Sequence, residues 1–234
     1  MIINIAPGTF GGALRNGDMI GLLNVVGHFR KGNPDVKLHM MEGTISSADY
    51  CQKMFQFLLE ETDYFSLVPG EHQLPWKKVN LWDFRDISGD VGVIPNNKAM
   101  EKKIVIFPLF DAPYNVYRNW PADLLDFLVD QYNQPKYEGY TKLICMQNAL
   151  EKQYDGWEYS TDFKENLYHI MTAETFIGAE TGSAVFASAL ARPPEELIYY
   201  YSSRGLLHTT PFNLLRGHGE MRTYWLDFEG TTWQ

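Results

Sequence analysis

Short apolar runs recur along this chain between longer segments with helical spacing, and this alternation restricts the fold more than any other feature. The clearest run is residues 104–107, four consecutive β-branched or aromatic residues. A continuous apolar run is typical of a strand that is covered on both faces, as in parallel sheets. Strands that alternate with helices predict βα units. We therefore expect an α/β protein with doubly wound parallel sheets.

The predicted elements form two series. The first has strands at 2–5, 36–41 and 64–68, a helix that opens at Gly17-Asp18 and ends before Gly32-Asn33-Pro34, and a helix over 47–61. The second follows Lys102-Lys103, with strands at 104–107, 142–146, 175–177 and 197–201, a helix from Pro121, and helices over 161–172 and 181–191. Weaker strand patterns lie at 79–82 and 91–94. A chain of 234 residues can form two small domains, and we place them at residues 1–100 and 101–234.

Composition excludes several classes of protein. With 20 basic and 29 acidic residues the net charge is −9, which disfavours a surface built for phosphate-backbone contacts. Two cysteines, Cys51 and Cys145, are too few for a disulfide framework or a thiolate zinc site. No stretch approaches the roughly 20 apolar residues of a membrane helix, and the amino terminus lacks a basic leader. We expect a soluble, cytoplasmic protein.

Common catalytic signatures are absent from the sequence. It contains no GxxxxGK loop, no GxGxxG, no GxSxG elbow and no HExxH. It also lacks Asp-x-Asp, the pair that metal-dependent sugar-nucleotide transferases commonly use, and its six histidines show no metal-ligand spacing. Together these features favour a protein that needs neither a metal nor a cofactor.

The loop between the first predicted strand and helix is the first candidate for a site. Gly11 and Gly12 let the backbone approach a ligand closely, and the loop leaves the carboxyl end of a strand, where α/β proteins bind ligands. Asp18 follows, and its residue type leaves two roles open. It is a helix N-cap, or it is a carboxylate that takes part in chemistry.

Two further segments suit an anion. Arg118 precedes the helix start at Trp120-Pro121, where helix amides add donors; the alternative is a solvated arginine with Trp120 as a packing residue. Thr181, Gly182 and Ser183 lie between a strand and a helix, where hydroxyls and backbone amides suit a diphosphate. There the alternative is an ordinary capped helix.

In this order the segments resemble the heptosyltransferase-like glycosyltransferases (family 9). The resemblance rests on Gly17-Asp18 before an apolar helix, on Arg118-x-Trp120-Pro121, and on Phe176-Ile177-Gly178 with Glu180-Thr181-Gly182-Ser183. It implies a GT-B architecture, two Rossmann-like domains facing each other across a cleft. It further implies inverting, metal-independent transfer from a nucleotide-sugar bound to the second domain onto an acceptor hydroxyl held by the first.

The resemblance also implies roles for individual residues. Asp18 would be the base that deprotonates the acceptor hydroxyl, and Arg118 would neutralise the diphosphate. Thr181, Gly182 and Ser183 would hold the diphosphate beside Glu180, which stands where the family has Asp. Gln147 lies near where the family contacts the nucleoside. Tyr114, Tyr117 and Trp120 are open to two readings, stacking on a ligand or packing in the core.

Two points stay open at the level of the sequence: the class of acceptor, and whether the protein is an enzyme or a binding protein. The compact chain fits a glycan acceptor such as a lipopolysaccharide core, or a hydroxymethylated DNA base of the kind that viral GT-B enzymes modify. A DNA acceptor requires a basic face formed from Lys98, Lys102, Lys103, Arg118, Arg192, Arg204, Arg216 and Arg222. A non-catalytic nucleotide or nucleotide-sugar binding protein would keep the Arg118 and Thr181 segments but would not need Asp18.

Overall fold

The computed structural model of the chain describes residues 2–5, 13–41, 43–68, 94–110, 119–146, 150–179, 181–202 and 221–226. These residues divide between two compact units. The first holds the described residues up to 96 together with 188–192, and the second holds 97–187 and the described residues from 193 onward. The acceptor and donor roles assigned to residues 1–100 and 101–234 stay predictions.

The first unit contains a parallel sheet of β1 (Ile2–Ile5), β2 (Lys37–Met41) and β3 (Phe65–Val68). Their order is β1-β2-β3, and each strand is parallel to its neighbour. The helix α1 (Asn16–Arg30) follows β1, and α2 (Asp49–Glu61) follows β2. These elements agree with the predicted first series to within two residues at each end.

Burial explains the helical spacing of α1. Ile20, Leu23 and Val26 have no exposed surface, because residues three apart lie on one side of a helix. On α2 the side chains of Met54 and Leu58 are likewise fully buried, four positions apart. Each helix therefore buries one side, as the sequence pattern predicts.

Arg30 holds the end of α1. Its Nε donates to the Val36 carbonyl (2.7 Å), and its guanidinium pairs with Asp63 (2.6 Å) and lies over the Tyr64 ring at 4.3 Å from the centroid. The helix thus stops at Arg30, just before the Gly-Asn-Pro sequence that predicted its end. These contacts tie the end of α1 to the residues that precede β2 and β3.

The second unit is built on a larger parallel sheet. Its described strands are β4 (Glu101–Phe107), β5 (Thr141–Cys145), β6 (Glu158–Ser160), β7 (Ala173–Ala179), β8 (Glu196–Ser202) and β9 (Met221–Leu226). Its described helices are α3 (Ala122–Tyr132), α4 (Phe163–Thr172) and α5 (Gly182–Ala189), with a 3₁₀ turn at Pro135–Tyr137.

The strand order of this sheet is β6-β5-β4-β7-β8-β9, and every neighbouring pair is parallel. The chain starts at the centre with β4, builds outward to β6, returns to the centre with β7 and builds outward again to β9. This is the 3-2-1-4-5-6 order of the Rossmann fold. The expectation of a doubly wound parallel sheet is therefore confirmed for the second unit.

Burial on both faces accounts for the apolar run at 104–107. Ile104, Val105 and Ile106 have no exposed surface, and Phe107 is 5% exposed. Ile104 and Ile106 belong to the core that includes the buried side chains of α3, whereas α4 contacts β4 with its own buried residues. Helices thus cover the central strand on both sides.

Two strands of the second unit are missing from the sequence-based prediction. These are β6, of three residues, and β9 at the edge of the sheet. Of the weaker strand patterns, 79–82 and 91–93 lie outside the described residues, and Ile94 forms an isolated bridge to Leu190.

Candidate active site

The centre of the larger sheet is the natural place for a ligand. The connection from β4 runs through α3 to β5 on one side, and the connection from β7 runs through α5 to β8 on the other. Because the two loops leave adjacent strands in opposite directions, a crevice opens outside their carboxyl ends. Phe107 and Gly178 are paired at this edge of the sheet.

Thr181 stands at this switch point, directly before α5. Its carbonyl accepts the N–H of Val185 (3.2 Å), so Thr181 is the N-cap residue of the helix. Its Oγ1 is buried but has no hydrogen-bond partner. An ordinary Thr cap uses this oxygen to accept a helix N–H, and a buried polar atom without a partner is uncommon. The hydroxyl is therefore not used as a cap, and its hydrogen-bonding capacity is unfilled.

Gly182 and Ser183 form the first turn of α5. The amides of a first turn have no partner within their own helix, and the helix dipole favours negative charge at this end. Ser183 is buried, at 5% exposure. Three predicted donor-binding residues thus lie together at the amino terminus of one helix, next to the central strands.

Gly178 leaves room for the Phe176 ring on β7. A Cβ at this position would lie 2.6 Å from Cε1 of the Phe176 ring and 3.8 Å from the Ala184 Cβ. The Tyr199 hydroxyl on β8 donates to the Ala184 carbonyl (3.2 Å). The Phe-Ile-Gly sequence before the site therefore has a packing function, because the absence of a Cβ at Gly178 lets the Phe176 ring lie against the strand.

Trp120 lies in the core. It is 4% exposed, and its ring meets that of Tyr200 edge to face, with the centroids 5.6 Å apart. Its backbone N–H donates to the Leu109 carbonyl (2.8 Å), which closes the base of the loop between β4 and α3. Of the two readings left open by the sequence, the packing role is the correct one.

A small hollow lies at the carboxyl ends of β5 and β6. It has a volume of about 60 Å³ and is lined mainly by apolar side chains: Ile144, Met146, Leu150 and Tyr159, with Gln153, Ser160 and Thr161 as the polar residues. It was not predicted from the sequence, because its lining comes from three separate segments. Met146, which lines it, immediately precedes the predicted nucleoside-binding residue Gln147.

Asp18 lies in the first unit, at the start of α1. The structure corrects the reading of Asp18 as an N-cap: it is the third residue of the helix, and its Oδ2 accepts the backbone N–H of Arg15 (3.0 Å). This is half of a capping box, in which the third residue reaches back to the cap. The other carboxylate oxygen is not needed for this contact.

The surroundings of Asp18 favour a stronger base. The residue is exposed, yet neighbouring protein atoms remove water from one side of its carboxyl, and this desolvation raises its pKa. The hydrogen bond from the Arg15 N–H and the Arg15 charge act in the opposite direction. A carboxylate with a raised pKa accepts a proton more readily.

The residues that hold the start of α1 were not predicted. The Leu14 N–H donates to Thr44 and the Leu14 carbonyl accepts from Ser46, each at 2.9 Å. Cys51 is buried on α2, where burial raises the pKa of its thiol while hydrogen bonds involving Ser46 and the Asn16 backbone lower it. No local pattern could reveal this cluster, since it joins two loops and two helices.

The remaining site predictions lie outside the described residues: Gly11, Gly12, Tyr114, Tyr117, Arg118, Gln147 and Glu180. Among the described residues, no group of three or more His, Cys, Asp or Glu side chains is arranged to hold a metal ion. Within the same residues, no helix is both long and apolar enough to span a membrane.

Comparison with known proteins places the fold. No family model matches this sequence, and neither does any curated protein. Among solved structures, ADP-heptose lipopolysaccharide heptosyltransferase II of E. coli is similar, with a TM-score of 0.57 and 12% sequence identity. The match covers 98% of this chain and 92% of that chain. At this identity the likeness shows the fold alone: a Rossmann-like α/β fold of the GT-B type.

Proposed function

We propose that this protein is an inverting, metal-independent glycosyltransferase that moves a sugar from a nucleotide-sugar to an acceptor hydroxyl. The observation that carries the proposal is the buried Thr181 hydroxyl, which has no partner at the amino terminus of α5. A buried hydroxyl without a hydrogen bond lowers the stability of the free protein. A diphosphate would satisfy it, because phosphate oxygens accept hydrogen bonds and carry the charge that a helix amino terminus favours.

In the proposed mechanism the second unit stabilises the leaving group. The Thr181 hydroxyl and the amides of Gly182 and Ser183 donate to the diphosphate as the bond to the sugar breaks. Arg118, two residues before Trp120 in the chain, supplies a positive charge. Donors held in place before the reaction stabilise developing charge without reorganising, and this is the role that a metal ion has in other transferases.

We place the base of the nucleoside against the hollow at the carboxyl ends of β5 and β6, which at about 60 Å³ is large enough for part of the base and not for the whole nucleoside. Its wall is mainly apolar, with Ile144, Met146 and Leu150, as expected for a surface that takes the face of an aromatic base. Gln147, the residue after Met146, would supply polar contacts beside it. The base then lies on one side of β4 and the diphosphate on the other, toward α5.

Asp18 acts as the general base in this proposal. It takes the proton from the acceptor hydroxyl while the acceptor oxygen forms a bond to the anomeric carbon. The bond from that carbon to the diphosphate oxygen breaks at the same time, and the nucleoside diphosphate leaves with the electron pair. Attack from the face opposite the leaving group inverts the configuration of the sugar.

Of the two acceptor classes, a glycan fits the charges better. Lys103, one residue of the basic face that a DNA acceptor requires, is buried and pairs with Glu101 (2.6 Å) and the Thr172 hydroxyl (2.7 Å). Lys98 lies over the Tyr168 ring, 4.7 Å from its centroid. Together with the net charge of −9, this argues against a DNA substrate.

The first test is a panel of ligands in a thermal-shift assay. Nucleoside diphosphates and nucleotide-sugars are compared with the matching nucleosides and monophosphates at one concentration. A ligand that binds the folded state raises the melting temperature with its concentration relative to Kd. We expect one base to be preferred and its diphosphate to exceed its nucleoside. No shift with any diphosphate would contradict the proposal.

Asp18→Asn then separates an enzyme from a binding protein. Asn retains an oxygen that accepts the Arg15 N–H, so α1 should keep its first turn. Removal of a general base lowers the rate by about 10²–10⁴-fold, and donor affinity should not change. The matched control is Asp49→Asn, which removes the acid from the first turn of α2. Transfer at the parental rate by Asp18→Asn would exclude Asp18 as the base.

A further inference from the structure

One wall of the hollow is a loop segment, residues 150–154, rather than a strand or helix. Leu150 and Gln153 line the hollow from this segment, together with Ile144 and Met146 of another. A loop wall has few backbone hydrogen bonds to fix it, in contrast to a strand. Its position therefore depends on the side chains that anchor it.

Asp126 on α3 is the centre of that anchor. Its Oδ1 accepts a hydrogen bond from the Tyr154 hydroxyl and lies 2.5 Å from the Lys152 ammonium. Lys152 also lies over the Tyr154 ring, 4.9 Å from its centroid. One carboxylate thus holds two residues of the segment, on either side of Gln153.

A second contact connects Tyr154 to a residue that lines the hollow. The backbone N–H of Tyr154 donates to the Tyr159 hydroxyl (2.5 Å), and Tyr159 lines the hollow. Leu150, Tyr154 and Tyr159 also pack against the core that includes the buried side chains of α3. A displacement of Tyr154 would therefore move the loop wall and one further lining residue together.

We infer that Asp126 is a positioning residue: by holding Tyr154 and Lys152, it fixes the loop wall of the hollow and so determines how tightly an aromatic base binds there. The inference rests on the proposed function, which assigns the base to this hollow. The contact with Lys152 is exposed, and exposed ion pairs contribute little. The Tyr154 hydrogen bond to a charged oxygen is the stronger contact, so it supplies most of the effect.

Lys152 and then Tyr154 hold the pKa of Asp126 below its usual range. The carboxylate is therefore an anion throughout the neutral range, and the anchor does not depend on pH there. Asp126→Ala removes the carboxylate and with it the acceptor for both Tyr154 and Lys152. Asp130→Ala is the matched control, because it removes the same group one helical turn further along α3.

The experiment uses the full chain, with adenosine, guanosine, cytidine, uridine and thymidine as probes. The methyl NMR resonances of Leu150 and Met146 report the position of the loop wall. Titration with the best-bound nucleoside measures the affinity of the protein for that nucleoside. Asp126→Ala should move the Leu150 resonances and weaken nucleoside binding about tenfold, the loss expected for a hydrogen bond to a charged group. Tyr154→Phe should reproduce most of this loss. Asp130→Ala should leave the Leu150 resonances in place and change the affinity by no more than about twofold.

Parental Leu150 resonances and parental nucleoside affinity in Asp126→Ala would overturn the inference. An equal loss in Asp130→Ala would also overturn it, because the effect would then be one of net charge. If the parent binds none of the five nucleosides, the assignment of the base to the hollow fails. The Leu150 resonances would still decide whether Asp126 holds the wall.

Discussion

Thr181→Val gives opposite changes in stability and ligand affinity, and it tests the basis of the proposed site. Val has nearly the shape of Thr and lacks the hydroxyl. In the free protein that hydroxyl is buried and makes no hydrogen bond, so its removal loses no cap and no partner. We expect unfolding to become less favourable by about 1 kcal/mol, the lower end of the range for an unpaired buried polar group. For a chain of this size, that raises the melting temperature by about 2–4 °C.

Thr172→Val is the matched control, because the same chemical change removes a hydroxyl that has partners. Thr172 Oγ1 accepts from the Lys103 ammonium (2.7 Å) and lies 3.2 Å from the Tyr168 carbonyl. Its loss would leave the buried Lys103 charge with fewer hydrogen bonds. We expect destabilisation by about 1–3 kcal/mol, opposite in sign to the effect of Thr181→Val.

Ligand affinity should change in the other direction. With the nucleoside diphosphate identified by the thermal-shift panel, calorimetry should show that Thr181→Val weakens binding about tenfold, whereas Thr181→Ser retains it. Thr172→Val should leave Kd unchanged. The argument fails if Thr181→Val is destabilised as much as Thr172→Val, or if it binds the diphosphate as tightly as the parent.

Four further predictions follow from the same structure. Arg118→Ala should weaken binding of a nucleoside diphosphate by about 1.5–3 kcal/mol and spare the bare nucleoside; equal affinities for the diphosphate at low salt would exclude Arg118 as a phosphate ligand. Transfer should continue in a large excess of EDTA, and a loss that magnesium or manganese restores would refute the metal-free mechanism. Gly178→Ala should lower the free energy of unfolding by about 1–3 kcal/mol, measured by urea denaturation, since its Cβ would lie 2.6 Å from the Phe176 ring; a parental urea midpoint would show that the ring moves freely. The hydrogen bond from Arg30 holds the pKa of Asp63 low, so the Arg30–Asp63 contact stabilises the fold above the ordinary titration range of aspartate and stops doing so as the pH falls through the folded-state pKa. Because Asp63 is largely exposed, Asp63→Asn should lower the free energy of unfolding by under about 1 kcal/mol at neutral pH. A difference in stability from the parent that persists in strong acid would contradict this.

The sequence by itself determined which segments form the layers of the fold. The run at 104–107 predicts a strand covered on both faces, and the spacing of Ile20, Leu23 and Val26 predicts a helix with one buried side. Both are confirmed, because the period of the apolar residues is set by which faces are buried. The candidate diphosphate residues were likewise found locally, since Thr181, Gly182 and Ser183 occupy one strand-to-helix turn.

Only the tertiary structure decided the strand order and the use made of particular side chains. Strand pairing joins residues far apart in the chain, so no local pattern could show that β7 lies beside β4, and β6 is too short to show a period. Asp18 could be recognised as a first-turn acid, but its contact with the Arg15 N–H depends on where α1 begins. The hollow and its anchor at Asp126 depend on contacts between α3 and residues 150–159, and packing alone brings these segments together.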